Sequence, residues 1–197
     1  MKTFFEGKKL ISVVLLAVAY LFLIIYAIGL KANNNGVGNF WVTFVIWTIL
    51  FAGAITGMYV PLMKKLGKAC LIGLFAYCII SASIEYPGYF AGAGYGNGLY
   101  KAIAILMGIA GILAIFALIS YVLSFAIPVV GKIVMLVADF LVLGTCFFLF
   151  IAGVLSLFTN DGNGHSYWYT AFNYLSLCAL LGGSLFGFAW AMDPLNA

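Results

Sequence analysis

A single carboxylate, Asp139, stands deep inside a long apolar run and is the residue best placed to do chemistry. It lies seven residues beyond Lys132 in the sequence, and seven residues of helix are about 10 Å long. A carboxylate at membrane depth costs at least a few kcal/mol, so it should face a bundle interior, a cavity or a partner. Two interpretations stay open. Asp139 is a proton or cation site, or it sits near the cytoplasmic boundary, protonated or hydrogen-bonded to neighbouring helices.

A second acid, Glu85, ends the third apolar run, directly before Tyr86-Pro87-Gly88. A carboxylate at the mouth of a helix bundle could bind a cation or gate access from the outer side. The simpler interpretation is that Glu85 marks the boundary between lipid and water, where charged side chains are common.

The last outer loop contains His165, the only histidine, close to Asp161. One histidine with one aspartate is a weak metal site, so we expect a solvated histidine and no bound metal. The same loop could hold a small polar ligand, because Asn163 offers hydrogen bonds and Trp168 offers a ring face for stacking.

Other catalytic arrangements lack their parts. The single histidine falls outside the apolar runs, so no Ser-His or Cys-His pair can form within them. The cysteines have no CxxC spacing, which leaves redox and zinc chemistry without support. We therefore expect no enzyme activity and no cofactor. The four cysteines, all in apolar runs, are Cys70, Cys78, Cys146 and Cys178, and the sparse polar residues at membrane depth are Ser120, Ser124, Thr145, Ser156, Asn173 and Ser176.

The composition decides which elements must position these residues. Of 197 residues, 66% are hydrophobic and 7% are charged, whereas soluble domains carry about 25% charged residues. The outer surface must therefore face lipid. All nine basic residues are lysines, so the chain lacks the guanidinium fork that binds phosphates and base edges bidentately. Nucleic acid is not an expected partner.

The apolar runs predict an all-α fold, a polytopic bundle of six transmembrane helices in one integral membrane domain, 1–197. The first run, Leu10 to Leu30, has 21 uncharged residues, enough to cross a hydrocarbon core. The runs are long and continuous, unlike the alternating short strands of membrane barrels. The predicted helices cover about 10–30, 40–63, 69–90, 102–127, 133–158 and 170–192.

Lysine placement predicts the orientation. With six helices and a cytoplasmic N-terminus, only Lys31 and Lys101 fall on the outer side, and the other seven lysines face the cytoplasm. This bias follows the positive-inside rule. Both termini are then cytoplasmic, and a bacterial inner (plasma) membrane is the expected location.

A weak internal repeat accompanies this pattern. Gly-Lys precedes each odd helix, an aromatic residue opens each even helix, and a proline ends it. One interpretation is three tandem helical hairpins. The alternative is that bilayer thickness alone places such residues at regular intervals. The marker residues are Gly7-Lys8, Gly67-Lys68 and Gly131-Lys132, then Trp41, Tyr100 and Trp168, then Pro61, Pro128 and Pro194.

Small residues predict where helices touch, because glycine lets helix backbones approach closely in lipid. They favour a tightly packed bundle over a wide pore. The candidate packing glycines are Gly53 and Gly57, Gly108 and Gly111, and Gly183 and Gly187.

Two functions fit these features. The first is a non-enzymatic, helix-packing subunit of a larger membrane complex, because the chain has only short loops outside the bilayer. Its partners would be the lipid bilayer and other membrane subunits or further copies of the chain. The alternative is a small-solute or ion transporter, or a channel-like protein, with a ligand site on the outer side.

Overall fold

A computed structural model describes residues 2–32, 40–93, 98–127, 129–159 and 168–192. It confirms the all-α bundle: six long helices and one short one, α4, make up the described residues, which contain no strand. The helices are α1 (Lys2–Ala32), α2 (Phe40–Tyr59), α3 (Lys64–Glu85), α4 (Tyr89–Ala93), α5 (Gly98–Ala126), α6 (Gly131–Ser156) and α7 (Trp168–Ala191).

Two helices end beside prolines, earlier than the ends predicted from the positions of charged residues. The helix predicted over 40–63 ends at Tyr59, because Pro61 restricts Val60 to an extended conformation and a 3-10 turn, Pro61–Met63, follows. The third helix ends at Glu85, and a second 3-10 turn around Pro87 leads into α4. The predicted continuation of this run to about residue 90 is confirmed, although the path bends at the proline.

Charged residues do not end helices as the prediction assumed. α1 begins at Lys2 rather than near residue 10, and α3 begins at Lys64 and includes Lys65 and Lys68. Lysine is a good helix former, so a helix continues past the charges that mark the edge of the apolar run.

Five helices are long and apolar enough to cross a membrane, which gives the chain the character of a multi-pass membrane protein. They are Gly7–Ala32, Pro61–Ala91, Gly98–Ala126, Gly131–Ser156 and Trp168–Ala191. In α2, the stretch Phe44–Tyr59 is apolar but shorter, so its role as a sixth span stays a prediction.

The last helix, α7, forms the centre of the bundle. It packs against α1, α6 and α3, and it is the most buried of the five candidate spans. α5 packs mainly on α6 and also on α3, while α2 lies at the edge, chiefly against α3. Six serine and threonine residues are buried among the described helices.

The packing does not divide into three equal hairpins. α6 and α7 form a close pair, as do α3 and α5, but the backbones of α1 and α2 hardly approach each other. Tyr20 spans the gap instead, with its hydroxyl 3.0 Å from the Thr48 hydroxyl and its ring stacked on Phe44 and Phe51. α1 packs most extensively on α7, the helix farthest from it in the sequence.

The two ends of the bundle differ in charge. Lys9 lies over the Tyr59 ring, with Nζ 3.9 Å from the centroid, which places the start of α1 beside the end of α2. We call this the lysine-rich end, and it also contains the starts of α3 and α6. We call the other the aromatic end. There, Tyr26 stacks on Tyr169, and Tyr89 lies against Tyr174.

Candidate functional site

A cavity of about 250 Å³ lies in the half of the bundle nearer the aromatic end. It occupies the space that opens because α1 and α2 stay apart, and α3, α6 and α7 complete its walls. The residues that line it are Leu23, Tyr26, Trp47, Tyr77, Cys78, Ser81, Ala82, Glu85, Tyr86, Leu149, Asn173, Leu177 and Leu181.

Besides its tyrosines, this cavity is lined by four polar side chains without a hydrogen-bond partner among the residues that the structure describes. They come from three helices: the indole N–H of Trp47 on α2, the hydroxyl of Ser81 and the carboxylate of Glu85 on α3, and the amide of Asn173 on α7. Glu85 is exposed and stands at the rim, whereas Ser81 and Asn173 are half-buried.

The indole N–H of Trp47 is the most buried of the four groups. The side chain is 8% exposed, and Nε1 is completely buried without a partner. Its ring meets the Tyr77 ring edge to face, with the centroids 6.2 Å apart. A buried donor without an acceptor costs about 1–3 kcal/mol. Trp47 contributes to the cavity wall, while its N–H is closed off from the space inside.

Hydroxyls elsewhere in the interior are satisfied within the protein, which sets the cavity apart. Every buried serine or threonine donates a hydrogen bond to a backbone carbonyl, as bundles in lipid require. The bonds are Ser12 to Gly183 at 2.7 Å, Ser124 to Tyr121 at 2.7 Å, Thr145 to Leu141 at 3.0 Å, Ser156 to Ala152 at 2.7 Å, Ser176 to Asn173 at 2.7 Å, and Ser184 to Leu181 at 3.0 Å.

Asp139 lies outside the cavity, in the half of the bundle nearer the lysine-rich end. The buried Tyr121 on α5 donates a hydrogen bond of 2.5 Å to its carboxylate, and Lys8 on α1 interacts with it electrostatically. The Tyr121 ring is held edge to face against Phe75 and Phe188. Asp139 is half-buried. Its carboxylate therefore accepts a hydrogen bond from Tyr121 and remains partly exposed.

Of the other acidic and aromatic candidates, the structure describes Trp168, which does not line the cavity. Trp168 begins α7 and packs edge to face on Tyr169 and Phe172. His165 and Asp161 lie outside the described residues. The structure therefore places Glu85 in the lining of the cavity and Trp168 outside it.

The six candidate packing glycines all stand at contacts between elements. Gly57 is the tightest: a Cβ there would collide with the backbone of Gly67 on α3, and the reverse holds too. The others lie against the following partners: Gly53 against Cys70, Gly108 against Phe90, Gly111 against Pro87, Gly183 against Leu16, and Gly187 against Leu71 and Ser12.

No group of three His, Cys, Asp or Glu side chains that could hold a metal ion occurs in the described ranges. Comparison of the chain with protein-family models, with curated proteins and with solved structures finds no match. The function is therefore inferred from the cavity and the residues that line it.

Sequence reasoning found Glu85 but missed Trp47, which reads as one more apolar residue in the second run. Asn173 appeared only as a scattered polar residue. The available signal was the scarcity of amides at membrane depth, because an uncompensated amide is costly in hydrocarbon.

Proposed function

We propose that this chain is a non-enzymatic, multi-pass membrane protein that binds a small polar solute in the cavity between α1, α2, α3 and α7. The observation that carries the proposal is the set of polar groups on Ser81, Glu85 and Asn173, which line the cavity without a hydrogen bond among the described residues. Ligand sites are typically apolar cavities with a few convergent polar groups, and this cavity has that composition.

The position of the cavity favours transport across the membrane as the purpose of binding. The cavity lies in one half of the bundle, and Asp139 with Tyr121 lies in the other half. Buried ionisable residues in membrane helices often mark ion or proton pathways. A solute site near one face and an acid near the opposite face are the parts that an ion-coupled transporter needs.

Cysteine labelling tests whether the cavity is open to water. In a variant whose four native cysteines are alanine, Ser81→Cys should react with a membrane-impermeant thiol reagent added at the aromatic end. Ser83→Cys is the matched control. Ser83 is half-buried on the same helix, but its hydroxyl bonds to Ile79 at 2.7 Å and it does not line the cavity. Equal, negligible labelling of both variants would reject a water-accessible site.

A second candidate function is the helix-packing subunit of a larger complex. The peripheral position of α2 favours it: α2 packs chiefly on α3 and exposes Trp41, Val45, Ile46 and Ile49. Exposed apolar faces suit either lipid or a partner helix. Native mass measurement after purification in mild detergent distinguishes the two, because a lone monomer would count against the subunit function.

We also propose that the lysine-rich end faces the cytoplasm, which places both termini inside, and that the membrane is a bacterial inner membrane. The support is the lysine bias, since cytoplasmic loops carry an excess of lysine and arginine. The cavity would then open toward the outside.

A further inference from the structure

The charge of the cavity defines the class of solute that it suits, provided that the cavity binds a solute at all, as proposed above. Glu85 is the only charged residue among the lining residues that the structure describes, and no lysine joins it. A lone carboxylate at the rim of the cavity attracts cations and repels anions. Carboxylate and phosphate ligands are therefore disfavoured.

The walls of the cavity add a second preference for positive charge. Four aromatic residues, Tyr26, Trp47, Tyr77 and Tyr86, line it together with Glu85. Aromatic faces attract ammonium groups through the ring quadrupole, and such rings form the cages that recognise quaternary ammonium ligands. The described lining has a single carboxylate, Glu85, fewer charged ligands than a hard divalent cation usually takes.

The donors of the cavity require a complementary feature on the ligand. The hydroxyl of Ser81 and the amide of Asn173 line the cavity and are half-buried, and both groups can donate hydrogen bonds. The ligand should therefore carry an oxygen acceptor as well as its positive charge. The volume of about 250 Å³ limits it to a small molecule, since each water in the liquid occupies about 30 Å³.

We propose that the cavity binds a small organic cation with an oxygen acceptor, of the amino-alcohol class. The cation lies among the aromatic rings beneath Glu85, and the acceptor takes hydrogen bonds from Ser81 and Asn173.

Equilibrium binding of radiolabelled choline to the purified full chain in mild detergent tests the proposal. The matched probe is the neutral analogue in which carbon replaces the ammonium nitrogen. We expect choline to bind about tenfold more tightly than this analogue, because only choline gains the cation–π and carboxylate interactions. Equal affinity for the two probes, or no choline binding, would overturn the inference.

Variants locate the binding. Glu85→Gln should weaken choline about fivefold and leave the analogue unchanged, since an exposed ion pair contributes up to about 1 kcal/mol. Asn173→Leu should weaken both probes, because both carry the hydroxyl acceptor. Ser83→Ala, on the same helix as Glu85 but outside the cavity, should change neither. An equal loss in Ser83→Ala and Glu85→Gln would contradict the assignment to this cavity.

The two proposals fail in different ways. If Ser81→Cys is labelled from water but choline and its analogue bind equally, the cavity is a solute site that does not discriminate between charged and neutral ligands. If Ser81→Cys is inaccessible, the solute site itself is rejected.

Discussion

The hydroxyl of Tyr121 on α5 lies 2.5 Å from a carboxylate oxygen of Asp139 on α6. This bond joins two helices that pack closely along their lengths. It satisfies a tyrosine that is almost fully buried and an acid that is half-buried. Both interpretations offered by the sequence meet here: Asp139 has a hydrogen-bonding partner on a neighbouring helix, and it keeps the access that a proton site needs.

Removing the Tyr121 hydroxyl should destabilise the bundle. Tyr121→Phe keeps the ring contacts with Phe75 and Phe188 but leaves Asp139 without its donor, which should cost about 1.5 kcal/mol. Thermal unfolding in detergent measures the loss. Tyr100→Phe, on the exposed surface of the same helix, is the control. A loss of the same size in both variants would mean that the bond contributes nothing specific.

Asp139→Asn should separate binding from coupling. Asparagine retains an oxygen that can accept the Tyr121 hydrogen bond, so the fold should survive. It cannot bind or release a proton, so proton-driven uptake of choline into proteoliposomes should be abolished. Uptake that continues at the rate of the unaltered protein would remove Asp139 from the transport mechanism.

Gly67→Ala should disrupt the contact between α2 and α3. A Cβ at Gly67 would come within 2.8 Å of the carbonyl carbon of Gly57, and a backbone cannot yield as a flexible side chain does. Overpacking of this kind costs about 1–3 kcal/mol. Gly73→Ala, on the same helix with no atom within 4 Å of its Cβ, should cause no loss. Unfolding in detergent compares the two, and equal stabilities would contradict the packing described here.

Ser12→Ala tests the contact between α1 and the central helix. Ser12 is fully buried and donates to the Gly183 carbonyl at 2.7 Å. Hydrogen bonds between helices in lipid contribute about 0.6 kcal/mol on average, so a small but measurable loss is expected. Ser83→Ala removes a hydroxyl that bonds only within its own helix, and it should cost less. The reverse order would argue against this bond as a link between helices.

Single cysteines test the orientation of the bundle. Replacements of Lys31 and Lys101 should react with an impermeant reagent added outside intact cells. A replacement of Lys65 should react only after the membrane is permeabilised. The reason is the lysine bias between the two ends. Labelling of the Lys65 position from outside would reverse the proposed topology.

The sequence was sufficient for the class of fold because lipid leaves few alternatives. Apolar runs near bilayer width must be helical to satisfy their backbone groups, and the long helices follow from that. It could not give the ends set by Pro61 and Pro87, where a local restraint overrides the apolar pattern. Nor could it show that α1 packs on α7, since nothing in a local pattern reports contact between the two ends of a chain.

The candidate site was accessible to sequence reasoning only in part. Glu85 stood out because the chain has only five acidic residues. Trp47 did not, because a tryptophan in an apolar run looks like any other apolar residue. The sequence also did not show which aromatic residues are buried: Tyr86, Tyr169 and Tyr174 are, and Tyr86 lines the cavity.

The most direct test of the solute site is an experimental structure of the protein in lipid nanodiscs at a resolution that shows ordered water. The proposed site predicts an open cavity with density for water or solute within hydrogen-bond distance of the Ser81 hydroxyl and the Asn173 amide. A closed cavity, with no such density beside Ser81 and Asn173, would contradict it.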